Sequence, residues 1–103
     1  MAAYIIFLRE SPVHDQAEMD KYRGGNRDAS KDFQLKPLCV YGEMETVEGE
    51  ATDGVVVLEF PTMDEARAWY HSPAYQEAAQ HRRRAADYRA FIVQGFDPSA
   101  FRG

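Results

Sequence analysis

The stretch Gly54-Val55-Val56-Val57-Leu58-Glu59-Phe60-Pro61-Thr62-Met63-Asp64-Glu65-Ala66-Arg67-Ala68-Trp69-Tyr70-His71-Ser72-Pro73-Ala74-Tyr75-Gln76 changes its structural period three times. Gly54 to Phe60 is a short, nearly continuous apolar run, which suits a strand buried from both sides. Pro61 ends it, and Thr62 with Glu65 three residues later is a capping pair that opens a helix carrying Ala66, Trp69 and Tyr70 inward. His71-Ser72-Pro73 interrupts that helix. Ser72 as cap with Pro73 in the first helical position then starts another, because proline has no amide to leave unpaired there.

The same reading extends outward in both directions. Tyr4-Ile5-Ile6-Phe7-Leu8 is a first apolar strand. After Pro12, Asp15 and Glu18 signal a helix start, and Met19, Tyr22, Asn26, Ala29 and Phe33 share one face by their spacing. Gly24-Gly25 weakens this helix by about 1 kcal/mol per glycine and predicts a bend or an early stop. Leu38 to Glu48 reads as a long strand, joined by the turn Gly49-Glu50-Ala51-Thr52-Asp53-Gly54 to the apolar run as an antiparallel hairpin. Beyond Pro73, an inward stripe of Tyr75, Ala78, Ala79, Arg82, Ala85 and Ala86 precedes a final strand from Tyr88 to Phe96.

The resulting order is an α+β, ferredoxin-like βαββαβ arrangement: a four-stranded antiparallel sheet with its helices on one face. Residues 1–96 make one domain and 97–103 a short C-terminal tail. The other sheet face stays bare, and Phe91 and Val93 add apolar surface to it. An exposed apolar face of this kind is an association site, so a homodimer through the open sheet face is expected.

Composition narrows the partners. One Trp, six Tyr and six Phe in 103 residues are too much apolar bulk for a disordered chain. Asp and Glu outnumber Lys and Arg, 17 to 12, so the long-range field that draws nucleic acid is absent, the local Arg82-Arg83-Arg84 run notwithstanding. No apolar run approaches a membrane span and the N-terminus lacks a signal-peptide pattern, which predicts a cytoplasmic address and no membrane partner. Cys39 stands alone and reads as a small hydrophobe in a strand. Three scattered histidines show no metal or heme grouping, so no metal or other cofactor is expected.

Candidate chemistry rests on a constellation of residues rather than a motif. Arg82 falls on a stripe that should be buried, where a guanidinium needs a carboxylate such as Glu43, Glu59 or Asp87, or else a bound anion. If the helix register is off by one, Arg83 takes this place. Tyr22, Asn26, Tyr41, Trp69 and Tyr70 supply flat walls with polar tips, read either as a small-molecule pocket or as ordinary core, and the candidate substrate contacts beside Arg82 are Trp69, Tyr22, Asn26 and Tyr75. Tyr41 and His71 are the candidate catalytic proton carriers, His71 because it sits at the helix break; His14 and His81 read as surface residues.

Glu59-Phe60-Pro61, Trp69-Tyr70, Ser72-Pro73-Ala74-Tyr75-Gln76, Arg82 and Gln94-Gly95, together with Tyr41-Gly42 and Glu48-Gly49, give the chain a resemblance to domain of unknown function 1330 over about residues 3–96. The resemblance implies a dimeric α/β barrel of ferredoxin-like protomers. That superfamily also holds cofactor-independent monooxygenases, muconolactone isomerases, heme-degrading enzymes and ligand-sensing domains, and a shared fold does not choose among them. The reading that follows is a small-molecule-binding dimer that acts, if it is an enzyme, without a cofactor on a small anionic or carbonyl compound. A non-catalytic structural or ligand-sensing dimer and a cofactor-independent monooxygenase are the alternatives.

Overall fold

A computed structural model describes residues 1–100. In chain order it contains β1 (Ala3–Arg9), α1 (Gln16–Ser30), β2 (Lys36–Val40), β3 (Gly54–Phe60), α2 (Met63–His71), α3 (Pro73–Ala85) and β4 (Tyr88–Gln94), then a single 3-10 turn at Pro98–Ala100. The strands form one sheet in the order β2-β3-β1-β4, with every neighbouring pair antiparallel. This is the ferredoxin-like α+β architecture. The apolar strands β1 and β3 take the centre, where both edges are hydrogen-bonded.

Register sorts the side chains between two faces. Ile5 pairs with Leu58 and Ile92, so these three point to one side with Ala3, Phe7 and Phe60. The helices cover that side, and Ile5, Phe60, Trp69 and Tyr75 are the largest fully buried side chains. Each such side chain contributes about 1.5–3 kcal/mol by leaving water. On the other side Ile6 pairs with Val57 and Phe91, and Tyr4 with Glu59 and Val93. Among the described residues no helix covers this face, and Phe91 and Val93 are both 46% exposed.

The helix starts follow the capping chemistry. The Glu18 amide donates to the Asp15 carboxylate at 3.1 Å, and the Glu65 amide to the Thr62 hydroxyl at 3.0 Å. At the break, Ser72 has an extended backbone; its hydroxyl donates to the Trp69 carbonyl at 2.8 Å and accepts from the Tyr75 amide at 3.2 Å. One side chain thereby closes α2 and opens α3.

Three expectations need correction. The strand expected over Leu38 to Glu48 is only Lys36–Val40, because β3 begins at Gly54 and offers no partner beyond the bond from the Tyr41 amide to the Val55 carbonyl. Tyr41 takes a φ of 52°, a left-handed conformation that turns the chain out of the sheet, so the connection runs from Tyr41 to Asp53. The last strand ends at Gln94, with a further bond from the Gly95 amide to the Ala2 carbonyl. Gly24-Gly25 neither bends nor stops α1, which runs on to Ser30; Phe33 lies past the helix end, although it still packs against the core.

Candidate functional site

Gly25, the second glycine of the pair, has a packing role. A Cβ on Gly25 would stand 2.9 Å from the Cβ of Ala78, so α1 and α3 approach closely there. Elsewhere between the same two helices, the Tyr22 and Tyr75 hydroxyls meet at 3.0 Å and Glu18 Oε2 meets His81 Nδ1 at 2.5 Å. The crossing leaves a cleft of about 770 Å³ between α1, the chain after it, and the sheet. Phe7, Met19, Phe33, Leu35, Val56 and Leu58 make its apolar walls. Tyr22, Asn26, Ser30, Tyr41 and Tyr88 add polar tips.

Arg82 stands at the base of the cleft, 4% exposed. Its guanidinium carbon lies 4.9 Å from the Tyr88 ring centre, 5.1 Å from that of Phe7 and 5.9 Å from that of Tyr22. None of the ion pairs among the described residues involves it, and its Nε has no hydrogen-bond partner. The expected carboxylate from Glu43, Glu59 or Asp87 is therefore not there: Glu43 lies in the exposed connection, Glu59 points to the open face, and Asp87 is exposed. Arg83, one position on, is exposed and bonds Gln76 at 3.0 Å, so the buried position is Arg82.

Arg82 has aromatic faces and phenol oxygens rather than a carboxylate around its charge. A desolvated cation over one aromatic face gains about 2 kcal/mol and burying an ion costs several kcal/mol even after relaxation, so three faces are of the same order as that cost. Burial pushes against the charge, but the oxygens of Tyr75 and Tyr22 outweigh it and hold the guanidinium protonated. In return burial, followed for Tyr22 by its neighbour Tyr75, raises the Tyr22 and Tyr75 phenols above the ordinary tyrosine value. Both phenols are neutral hydrogen-bonding groups at pH 7.

The remaining expected residues divide. Trp69 lines the cleft although it is closed to solvent, 3.9 Å from Tyr75 centre to centre, and its indole N–H donates to Ser30 Oγ at 2.9 Å. Ser30 Oγ donates in turn to Asn26 Oδ1 at 3.1 Å, so Asn26 reaches the cleft wall as the end of a chain anchored on Trp69. Tyr75 stands behind Tyr22 rather than on the wall. Tyr41 is at the mouth, its hydroxyl 2.7 Å from that of Tyr88 and its ring under Arg9 at 5.1 Å. A Cβ on Gly54 would meet that ring at 2.5 Å, so the glycine makes room for it. His71 lies elsewhere: exposed at the end of α2, edge-on to Tyr70 at 5.3 Å and outside the cleft.

Several residues escaped the sequence reading. Tyr88 was legible as the first inward position of β4, and Ser30 sits one helical turn after Asn26. Arg23 and Arg27 on α1 and Lys31 at its C-cap, which also line the cleft, recur every four residues. Among the described residues, no group of three or more His, Cys, Asp or Glu is arranged to hold a metal ion, and no helix is long and apolar enough to cross a membrane.

Solved structures share this architecture at low identity. A protein of unknown function from Rhodopseudomonas palustris superposes with a TM-score of 0.67 at 19% identity, over 94% of this chain and 84% of that one. A dimeric ferredoxin-like protein of unknown function from Thermobifida fusca gives 0.58 at 14%, over 92% of each chain. SnoaB, a cofactor-independent oxygenase from Streptomyces nogalater, gives 0.59 at 10%, over 97% of each. No curated protein matches the sequence. Residues 2–96 match the family described as domain of unknown function (DUF1330), and the chain belongs to that family.

Proposed function

We propose that this protein is a cytosolic homodimer that binds a small anionic or carbonyl compound in the cleft of each protomer, with Arg82 as the anchor for the ligand's oxygen. The observation that carries this reading is a buried guanidinium without a carboxylate at the base of an open cleft. A ligand anion supplies the missing counter-charge in a water-poor setting, where a charge-assisted hydrogen bond is strongest. Tyr22 and Trp69 pack along the ligand, Asn26 offers an amide held by Ser30, and Tyr75 supports Tyr22 from behind.

If the bound compound reacts, Arg82 polarises its carbonyl and the Tyr41 hydroxyl, paired with Tyr88, moves a proton without metal or organic cofactor. His71 has no part in this scheme because it lies outside the cleft. The open sheet face supplies the dimer contact, as its apolar residues have no cover within the protomer. The dimeric relative from Thermobifida fusca and the cofactor-independent oxygenase SnoaB are compatible with both elements, but at 10–14% identity they support only the fold.

The test is a thermal-shift screen of aromatic carboxylates, 2-oxo acids and enolisable ketones against the native protein and Arg82→Gln. A binder raises the midpoint in proportion to RT ln(1 + [L]/Kd). The expected hits stabilise the native protein and not the variant. Equal shifts in both, or no hit in any class, would contradict the reading.

The three rings around Arg82 support a second reading, in which the guanidinium serves as internal glue of a non-catalytic dimer. In that case the arginine is saturated by π contacts, and its removal costs stability rather than binding.

A further inference from the structure

The formal net charge of the chain is -5, yet the charged residues lining the cleft are Arg23, Arg27, Lys31 and Arg82, all cations. Asp20, Asp28 and Asp32 lie in the same stretch of sequence and are absent from the lining. None of the ion pairs among the described residues involves Arg23, Arg27 or Lys31. Basic side chains near a helix C-terminus are ordinary complements of the helix dipole, which accounts for Arg27 and Lys31 being basic. It does not account for Arg23, mid-helix, or for every cleft-facing charge having one sign. Arg23, Arg27 and Lys31 are exposed whereas Arg82 is buried, so the cleft has a cationic rim, an apolar middle and a cationic base.

We infer that the ligand is an amphipathic acid held at two points: an apolar body between Phe7, Met19, Leu35 and Leu58, an oxygen at Arg82, and a terminal carboxylate, sulfonate or phosphate at the Arg23-Arg27-Lys31 rim. The inference rests on the cleft reading above and adds the ligand's second charge. A volume of about 770 Å³ admits a body of two or three rings or a medium acyl chain, within the range of small-molecule sites. The rim has a kinetic role as well, because a one-signed patch on an otherwise acidic surface gathers anions at the mouth.

Two fluorescent probes with the same body test this: 8-anilinonaphthalene-1-sulfonate, and its neutral counterpart N-phenyl-1-naphthylamine. Each is titrated into native protein and into the triple variant Arg23→Gln, Arg27→Gln, Lys31→Gln, and read by energy transfer from the single Trp, Trp69. The native protein should bind the sulfonate about tenfold more tightly at low salt, the sum of three partly exposed charge contacts. That preference should shrink as salt is raised and fall in the triple variant to the salt-insensitive part that buried Arg82 confers, while the neutral probe binds both proteins equally and certifies the variant's fold. Equal affinity for both probes in the native protein, or a preference that the triple substitution leaves undiminished, would overturn the rim assignment and leave the cleft standing. No uptake of the neutral probe would instead sink the cleft reading, and the rim with it.

Discussion

The Cβ that Gly25 lacks would stand 2.9 Å from the Cβ of Ala78, with the Ala78 Cα next at 3.4 Å, so α1 and α3 meet almost backbone to backbone. Gly24, its neighbour, has nothing within 4 Å of the same hypothetical atom. The two glycines therefore predict opposite outcomes. Gly24→Ala should stabilise the protein by about 0.5–1 kcal/mol through helix propensity alone. Gly25→Ala gains the same propensity but must push two helices apart, and overpacking of about 1–3 kcal/mol should leave it less stable than the native protein. Urea midpoints of the two variants check the pair.

Alkaline pH should loosen the fold. Burial raises the Tyr22, Tyr75 and Tyr88 phenols above their unfolded value of 10.0, so between the unfolded and folded values the native state binds more protons than the unfolded chain. Stability from these groups is fully present below about pH 10 and is lost as pH rises above it. Absorbance at 295 nm should show three of the six tyrosines ionising late, together with the loss of helical circular dichroism. Their ionisation along with ordinary phenols, in a still-folded protein, would contradict the burial.

The Tyr41–Tyr88 hydroxyl pair should matter to the ligand more than to the fold. Tyr41→Phe removes one hydrogen bond from a solvent-accessible pair and should cost no more than about 1 kcal/mol of stability. Gly54→Ala should displace the same ring, because its Cβ would meet Tyr41 Cδ1 at 2.5 Å. Both variants should change the affinity for any ligand that stabilises the native protein, by calorimetric titration, and match each other in direction.

Phe91 and Val93 lie on the open sheet face and are half exposed in the protomer. Substituting both by Glu should leave the protomer folded and shift sedimentation from dimer to monomer, since two buried unpaired charges per subunit are costly at an interface. An unchanged sedimentation coefficient would move the interface elsewhere.

The elements were legible where a local chemical device marks them. Asp15, Thr62 and Ser72 each cap a helix start as their spacing predicts, and Pro73 fixes the break between α2 and α3. The end of β2 was not legible, because the mixed polar and β-branched pattern after Val40 is the same whether or not a partner strand lies beside it. Only the length of β3 decides, and that is a non-local fact. Likewise, helical periodicity put Arg82 on the buried stripe, but nothing local said that aromatic rings rather than a carboxylate would surround it: Phe7, Tyr22 and Tyr88 come from three different elements. His71 drew attention by its place at the break, whereas the turn of α2 carries it to the outside.

Replacing Arg82 by Met separates an anion anchor from internal glue most directly. Met fills the volume of the arginine stem without the charge, and replacing buried ionic groups by packed apolar side chains of similar volume is often neutral or stabilising. Equilibrium urea denaturation at a fixed protein concentration should place Arg82→Met within about 1 kcal/mol of the native protein, or above it. A loss of roughly 3 kcal/mol or more, the cost of breaking a satisfied buried ionic contact, would show that Arg82 holds the fold together rather than a ligand.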